Sequence, residues 1–131
     1  MTIHHTTEVR VLSCHDYRKI ERKIKMFLEK ENIKFIPQYK PVWLKRMILD
    51  FYLPDYKIAI EVQGLQHYKS VKYWGGDINF KNVIKRDKLK KKLCLENNIK
   101  LLYYSELNLE FNEKTLTNTE DLLKVIKNGG N

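Results

Sequence analysis

The stretch from residue 49 to residue 64 reads LDFYLPDYKIAIEVQG, and the predicted fold is built outward from it. Two runs of residues with high strand propensity flank a Pro-Asp-Tyr-Lys segment whose composition favours a turn. We therefore predict a β-hairpin, with one strand over residues 45–53 and the next over residues 58–62. Gly64 ends the second strand.

Two acids stand inside this otherwise apolar hairpin. Side chains alternate between the two faces of a strand, so Glu61 and Gln63 share the face opposite to that of Ile60 and Val62. The hairpin folds Asp50 back beside Glu61. A buried carboxylate is costly unless it is paired, protonated or bound to a metal. A structural pairing with a nearby Lys or Arg explains the two acids as well as metal binding does.

The metal-binding alternative predicts a magnesium site. Asp50, Glu61 and the backbone carbonyl of Val62 form a set of hard oxygen ligands suited to Mg²⁺ with several retained waters. Such a metal neutralises a phosphate and helps to generate hydroxide from water, and we expect Mn²⁺ to substitute for it. Gln63 points the same way as Glu61 and is a candidate for orienting the water or the phosphate.

The rest of the chain completes one predicted domain over residues 1–131, in the element order α-β-β-β-α-β-α. The order predicts a mixed sheet flanked by helices, whose last strand is reached through a helical crossover. Residues 1–12 show no periodicity and form an N-terminal extension. The other predicted elements are a helix over 14–31, an edge strand over 33–39, a long loop or a short helix plus loop over 65–79, a helix over 80–97, a strand over 99–104, a helix over 119–127 and a frayed tail over 128–131.

The composition of the chain indicates which partners and which cellular compartment to expect. Lys and Arg number 25 against 16 Asp and Glu, a net charge of +9, which favours a polyanionic partner such as nucleic acid. A Lys-rich composition alone also produces such a charge. No apolar run reaches the ~20 residues of a membrane span, so no membrane partner is expected. Cys14 and Cys94 match no metal or redox spacing, which predicts reduced core residues and a cytoplasmic protein.

The spacing from Asp50 to Glu61-Val62-Gln63 resembles that of the PD-(D/E)XK nuclease superfamily. The segments LDFYLP (49–54) and IEVQGLQH (60–67) more narrowly resemble the branch related to very-short-patch repair endonucleases, which includes phage homing enzymes and carries an EDxHD pattern. The resemblance covers residues 21–104. It implies a restriction-endonuclease-like fold and Mg²⁺-dependent cleavage of DNA that leaves 5′-phosphate and 3′-hydroxyl ends. A phage-encoded enzyme would act in the host cytoplasm.

Residue by residue, the EDxHD pattern falls on Glu21, Asp50, His67 and Asp87. The resemblance implies an outer-sphere metal contact for Glu21. It implies a general base or phosphate ligand at His67, and a residue that orients His67 or joins the outer metal shell at Asp87. Gln63 replaces the usual Lys, and a neutral amide supplies no positive charge to the transition state.

Each of these residues also has a purely structural explanation. Glu21 shares a helical stripe with Ile24 and Leu28 and should face the sheet, although it also fits partial exposure beside Lys25. His67 fits an ordinary loop histidine. Asp87 shares a seven-residue stripe with Cys94, so it faces inward whether or not it is catalytic.

Two basic segments are predicted to contact phosphates. The second helix is strongly cationic, and the loop before it combines lysines with aromatic residues. A solvated helix face and core-covering aromatics are the alternatives. The predicted contacts are Lys69, Lys72, Lys85, Arg86, Lys90 and Lys91.

Three functions fit these observations. The first is a DNA endonuclease that cleaves or nicks with Mg²⁺. The second is a structure-selective junction resolvase, for which a homodimer is expected. The third is a catalytically degenerate nuclease fold retained for DNA binding or protein interaction, which Gln63 favours. In a chain this short, sequence preference must come from loops, dimerisation or a larger protein partner.

Overall fold

The computed structural model describes residues 17–63, 76–106 and 114–131, with the backbone alone at residue 17 and residues 76–80. This part of the chain contains three helices and five strands, and one 3-10 turn follows the first strand. Their bounds are α1 Tyr17–Lys30, β1 Ile36–Tyr39, the 3-10 turn Val42–Leu44, β2 Leu49–Leu53, β3 Ile58–Val62, α2 Gly76–Glu96, β4 Lys100–Tyr104, β5 Thr115–Leu116 and α3 Thr119–Lys127.

The strands form one mixed sheet in the order β1-β2-β3-β4-β5. The pairs β1/β2 and β2/β3 are antiparallel, whereas β3/β4 and β4/β5 are parallel. The predicted mixed α/β fold is therefore confirmed. The two-residue strand β5 was not predicted. It extends the sheet beyond β4, where Tyr103 pairs with Thr115.

The predicted hairpin is present. Phe51 lies opposite Ile60, and Leu53 lies opposite Ile58. Asp50 and Glu61 follow the Phe51–Ile60 pair, at the end of the hairpin away from the turn, and the Asp50 N–H donates to the Glu61 carboxylate.

Two apolar clusters pack on opposite faces of the sheet, because Ile58 and Ile60 belong to one cluster and Ala59 to the other. The larger cluster joins the sheet to α1 and α3. Its buried members are Ile20, Ile24, Leu28, Ile33, Phe51, Leu53, Ile58, Ile60, Val62, Leu102, Tyr104, Leu122 and Ile126. The smaller cluster joins the sheet to α2 and the 3-10 turn. Its buried members are Leu44, Leu49, Ala59, Cys94 and Ile99.

Leu49 and Phe51 belong to different clusters although they are two residues apart on β2. Regular alternation would place both side chains on one face. The alternation is therefore broken at Asp50, the residue between them. This local irregularity lies at the predicted site.

Several details differ from the prediction, and one is that strand β1 begins at Ile36 rather than at Ile33. Strand β2 begins at Leu49 and not at Lys45, because the 3-10 turn precedes it and Lys45 has a φ of 63°, outside the extended region. Helix α2 already begins at Gly76. The tail predicted to fray is hydrogen-bonded: the Gly130 N–H donates to the Val125 carbonyl (2.8 Å) and Lys100 Nζ to Asn131 Oδ1 (2.6 Å).

The predicted core cysteine is confirmed, since Cys94 is buried and carries a free thiol. Cys14 and the extension over residues 1–12 lie outside the described residues. Within the described helices, none has the length and apolar character needed to cross a membrane.

Candidate active site

Asp50 and Glu61 meet at the open end of the β2/β3 hairpin and bind each other's strands reciprocally. The Asp50 N–H donates to Glu61 Oε2 (2.7 Å), and the Val62 N–H donates to Asp50 Oδ2 (2.8 Å). Each carboxylate is thus fixed by a backbone donor of the neighbouring strand. The structure therefore brings the two predicted metal ligands together.

Lys90 approaches the same pair from helix α2. Its Nζ donates to Glu61 Oε1 (2.5 Å) and to the Ile48 carbonyl (2.8 Å). The side chains of Lys90 and Glu61 are only 12% and 13% exposed. Lys90 was predicted to contact phosphates on the helix surface, and the structure corrects that placement. A mostly buried ammonium needs an anionic partner, and Glu61 provides it.

The charge balance at Glu61 is unfavourable to its ionised form. Burial raises the pKa of Glu61, the neighbouring charge of Asp50 raises it further, and Lys90 and the Asp50 N–H lower it. The net effect is a pKa of about 7. Lys90 therefore compensates only part of the cost of placing two carboxylates side by side.

Glu21, on helix α1, lies beside Asp50. It is half-buried and lines with Asp50 a cleft of about 290 Å³. Gln38 Nε2 on the edge strand donates to Glu21 Oε2 (3.3 Å). Burial and the charge of Asp50 raise the pKa of Glu21, while the Gln38 hydrogen bond and Arg18 oppose them. The cleft therefore holds two acids, Glu21 and Asp50, close enough for the charge of one to raise the pKa of the other.

The remaining predicted residues divide into three groups. Gln63 is buried (4% exposed), and its backbone N–H donates to the Tyr104 carbonyl (2.8 Å), so its role toward water or phosphate stays a prediction. Asp87 is half-buried on α2, three residues before Lys90 and thus on an adjoining turn. Lys85, Arg86 and Lys91 are exposed on α2, and His67, Lys69 and Lys72 lie outside the described residues.

Sequence reasoning missed the cations of α1. Arg18, Arg22 and Lys25 line the cleft that contains Glu21 and Asp50. Their spacing of four and then three residues is the helical stripe period, so the signal was present in the sequence. The stripe is less conspicuous in the sequence than the denser cluster of lysines on α2, to which the phosphate contacts were assigned.

The donor set fits a magnesium ion that keeps water ligands. Across residues 17–63, 81–106 and 114–131, no three His, Cys, Asp or Glu side chains form a complete metal-binding group. Asp50 and Glu61 alone supply two hard oxygen donors, and Mg²⁺ is commonly bound through one or two carboxylates with waters and substrate phosphates. The pKa of Glu61 is raised mainly by burial and further by the negative charge of Asp50, and a cation bound between the two acids would offset the second of these effects. The participation of the Val62 carbonyl stays a prediction.

Comparison with known proteins adds little to this geometry. No family model matches the chain. The curated "Uncharacterized protein 307L" of Invertebrate iridescent virus 6 is 36% identical over 55 residues, which cover 41% of this chain and 28% of the viral protein. The match therefore spans less than a third of that relative's length, and its name assigns no activity.

Proposed function

We propose that this protein is a metal-dependent DNA endonuclease with a restriction-endonuclease-like core, in which Asp50 and Glu61 hold Mg²⁺. The observation that carries the proposal is the reciprocal hydrogen bonding of these two acids beside a cleft that also contains Glu21. A pair of carboxylates kept close together against their mutual repulsion is typical of a site that binds a cation. The resemblance of the hairpin sequence to nucleases supplies the substrate class.

In the proposed hydrolysis of a phosphodiester bond, each group of the site has a separate role. The metal, when bound, supplies charge neutralisation at the phosphate and a hydroxide at neutral pH. Asp50 and Glu61 are oriented beforehand by the backbone, so no side-chain ordering is needed on binding. Glu21, with its raised pKa, accepts a proton in the cleft. Lys90 holds Glu61 in place and provides the positive charge that Gln63 lacks.

One observation favours a second function, a DNA-binding module without catalysis. The Lys90 ammonium already neutralises Glu61, as it would in a site that has replaced a metal by an internal ion pair. Metal binding separates the two functions. In a nuclease Glu61 would be shared between Lys90 and Mg²⁺, so added Mg²⁺ raises the thermal unfolding midpoint, whereas the binding module shows no such shift.

Cleavage of supercoiled plasmid by the full chain, with Mg²⁺, with Mn²⁺ and with EDTA, tests the proposal. We expect metal-dependent nicking or linearisation that Asp50→Asn and Glu61→Gln each reduce about a thousandfold, which corresponds to about 4 kcal/mol of transition-state stabilisation. Asp55→Asn is the matched control, since Asp55 is an exposed acid at the hairpin turn. It should cleave like the wild type.

Branched DNA substrates complete this test. Preferential cleavage of four-way junctions over linear duplex would identify a structure-selective resolvase. Absence of cleavage with either metal on plasmid and on junctions, together with retained DNA binding, would replace the nuclease by the binding module.

A further inference from the structure

The cleft beside Asp50 has one cationic wall, formed by helix α1. We propose that Arg18, Arg22 and Lys25 are the residues on which the phosphate backbone of duplex DNA lies, rather than the cations of α2. The inference rests on the proposed function for its substrate class and adds the surface that presents the substrate to the acids.

Helix geometry places these cations and one acid on a single stripe. Positions 18, 21, 22 and 25 follow the three- and four-residue spacing of neighbours on a helix surface. All four side chains line the same cleft, with Asp50 and Gln38 on the opposite wall. A phosphate bound by the cations is therefore held against Glu21 and Asp50.

The dimensions and charges of this stripe suit one DNA strand. Seven helical residues rise about 10 Å, and successive phosphates of a strand are about 3.4 Å apart along the duplex axis, so the stripe spans about three nucleotides. The three cations are exposed, and no ion pair joins Arg22 or Lys25 to another residue that the structure describes. They are available to exchange their counterions for phosphates.

Helix α2 is the less suitable surface. Lys90, its most inward cation, is engaged with Glu61 and with the Ile48 carbonyl. Lys85 and Arg86 are exposed, but neither lines the cleft that contains the acids. Phosphates bound at those positions would be neutralised without being presented to Glu21 and Asp50.

Two triple variants of the full chain compare the two helices. Arg18→Gln/Arg22→Gln/Lys25→Gln removes the α1 stripe, and Lys85→Gln/Arg86→Gln/Lys91→Gln removes the rival cations of α2. Lys30→Gln/Lys34→Gln/Lys57→Gln is the charge-matched control, because these three lysines are exposed and do not line the cleft. Circular dichroism and thermal unfolding establish that each variant is folded.

Binding of a fluorescein-labelled DNA duplex is measured by anisotropy in EDTA, over salt concentrations from about 50 to 200 mM. We expect the α1 variant to bind about tenfold or more weakly, and its slope of log K against log salt to fall by about 2.7, or about 0.9 for each lost phosphate contact. The α2 variant and the control should lose less than the α1 variant in both quantities.

An α2 variant that loses as much affinity as the α1 variant, or more, overturns the inference even if the plasmid is cleaved. No DNA binding by the wild-type chain also overturns it, as does tighter binding to an RNA duplex of the same sequence. Loss of binding confined to the α1 variant supports it, even where no cleavage is found. Failure of this surface and failure of the nuclease chemistry are thus distinguishable.

Discussion

The two faces of the sheet are built differently. The face covered by α1 and α3 carries the larger cluster, composed of large apolar side chains such as Leu28, Phe51 and Ile60. The face covered by α2 carries the smaller cluster, in which Ala59 and Cys94 are small. Small residues leave room for the long side chains of Lys90 and Glu61, which lie on the α2 face.

Cys94, in the smaller cluster, lies close enough to the Lys90–Glu61 ion pair for both charges to affect its pKa. The pKa of its thiol is raised to about 11, first by burial and then by the charge of Glu61, while Lys90 opposes the increase. The thiol therefore stays protonated and acts as a small apolar group beside a charged one. We infer that stability comes mainly from the α1 face, and that the α2 face gives up apolar packing to hold a charge at the end of the hairpin.

The largest effect should come from the apolar face. Leu28→Ala removes a fully buried side chain from the larger cluster and leaves a cavity, which lowers the free energy of unfolding by about 3 kcal/mol. Urea denaturation measures this loss. Met26→Ala on the same helix is the control, because Met26 is 60% exposed, and it should change stability by less than about 0.5 kcal/mol. Equal losses in both variants would contradict the assignment of Leu28 to the larger buried cluster.

A smaller loss is expected from breaking the ion pair on the other face. Lys90→Gln leaves Glu61 without its cation, and we expect about 2 kcal/mol of destabilisation, less than for a fully buried pair because both side chains keep some exposure. Denaturation at neutral pH measures it, with the exposed Lys88→Gln as control.

The double variant Lys90→Gln/Glu61→Gln sharpens this measurement. It removes both charges, so part of the lost stability should return, and the difference gives the coupling between the two residues. Additive losses would show that the pair contributes nothing beyond its separate side chains.

The smallest effect concerns pH. Glu61 has a pKa raised to about 7, so without metal its contribution to stability is largest below the pH at which the unfolded carboxyl titrates and is lost as pH rises toward 7. In the proposed site Mg²⁺ binds the ionised form of Glu61, so its affinity should rise about fivefold between pH 6 and pH 7, about twofold more above pH 7, and then level off. Thermal unfolding with and without Mg²⁺ across this range measures the change. A Mg²⁺ effect that falls as pH rises would contradict the assignment of Glu61 as a ligand.

Local sequence patterns predicted the bounds of those elements that form because of their own residues. Strand β3 and helix α3 have the predicted bounds, since a run of branched residues and a capped amphipathic segment each suffice. Strand β5 was missed because two residues carry no periodicity, and only the end of β4 makes them a strand. The prediction that β2 begins at Lys45 was wrong. Lys45 has a φ of 63°, and the identity of the residue gives no sign of this positive angle.

The candidate site shows the same limit. The hairpin spacing predicted that Asp50 and Glu61 would meet, because register follows from turn length. The inward position of Lys90 was missed, although it shares a helix stripe with Asp87 and Cys94, both of which were predicted to face inward. Lys90 was predicted to lie on the surface because it belongs to a dense cluster of lysines. Its inward position follows from the packing of α2 on the sheet.

The edge strand β1 has a consequence for assembly. Pro37 lacks an N–H, and Gln38 has a φ of 51°, so a regular ladder cannot continue along this strand. Edges of this kind do not template the addition of another strand, and two copies of the chain would not join their sheets through β1. If the chain is the nuclease proposed above, cutting of both strands of a duplex would then proceed by two successive nicks, or by a dimer formed through another surface.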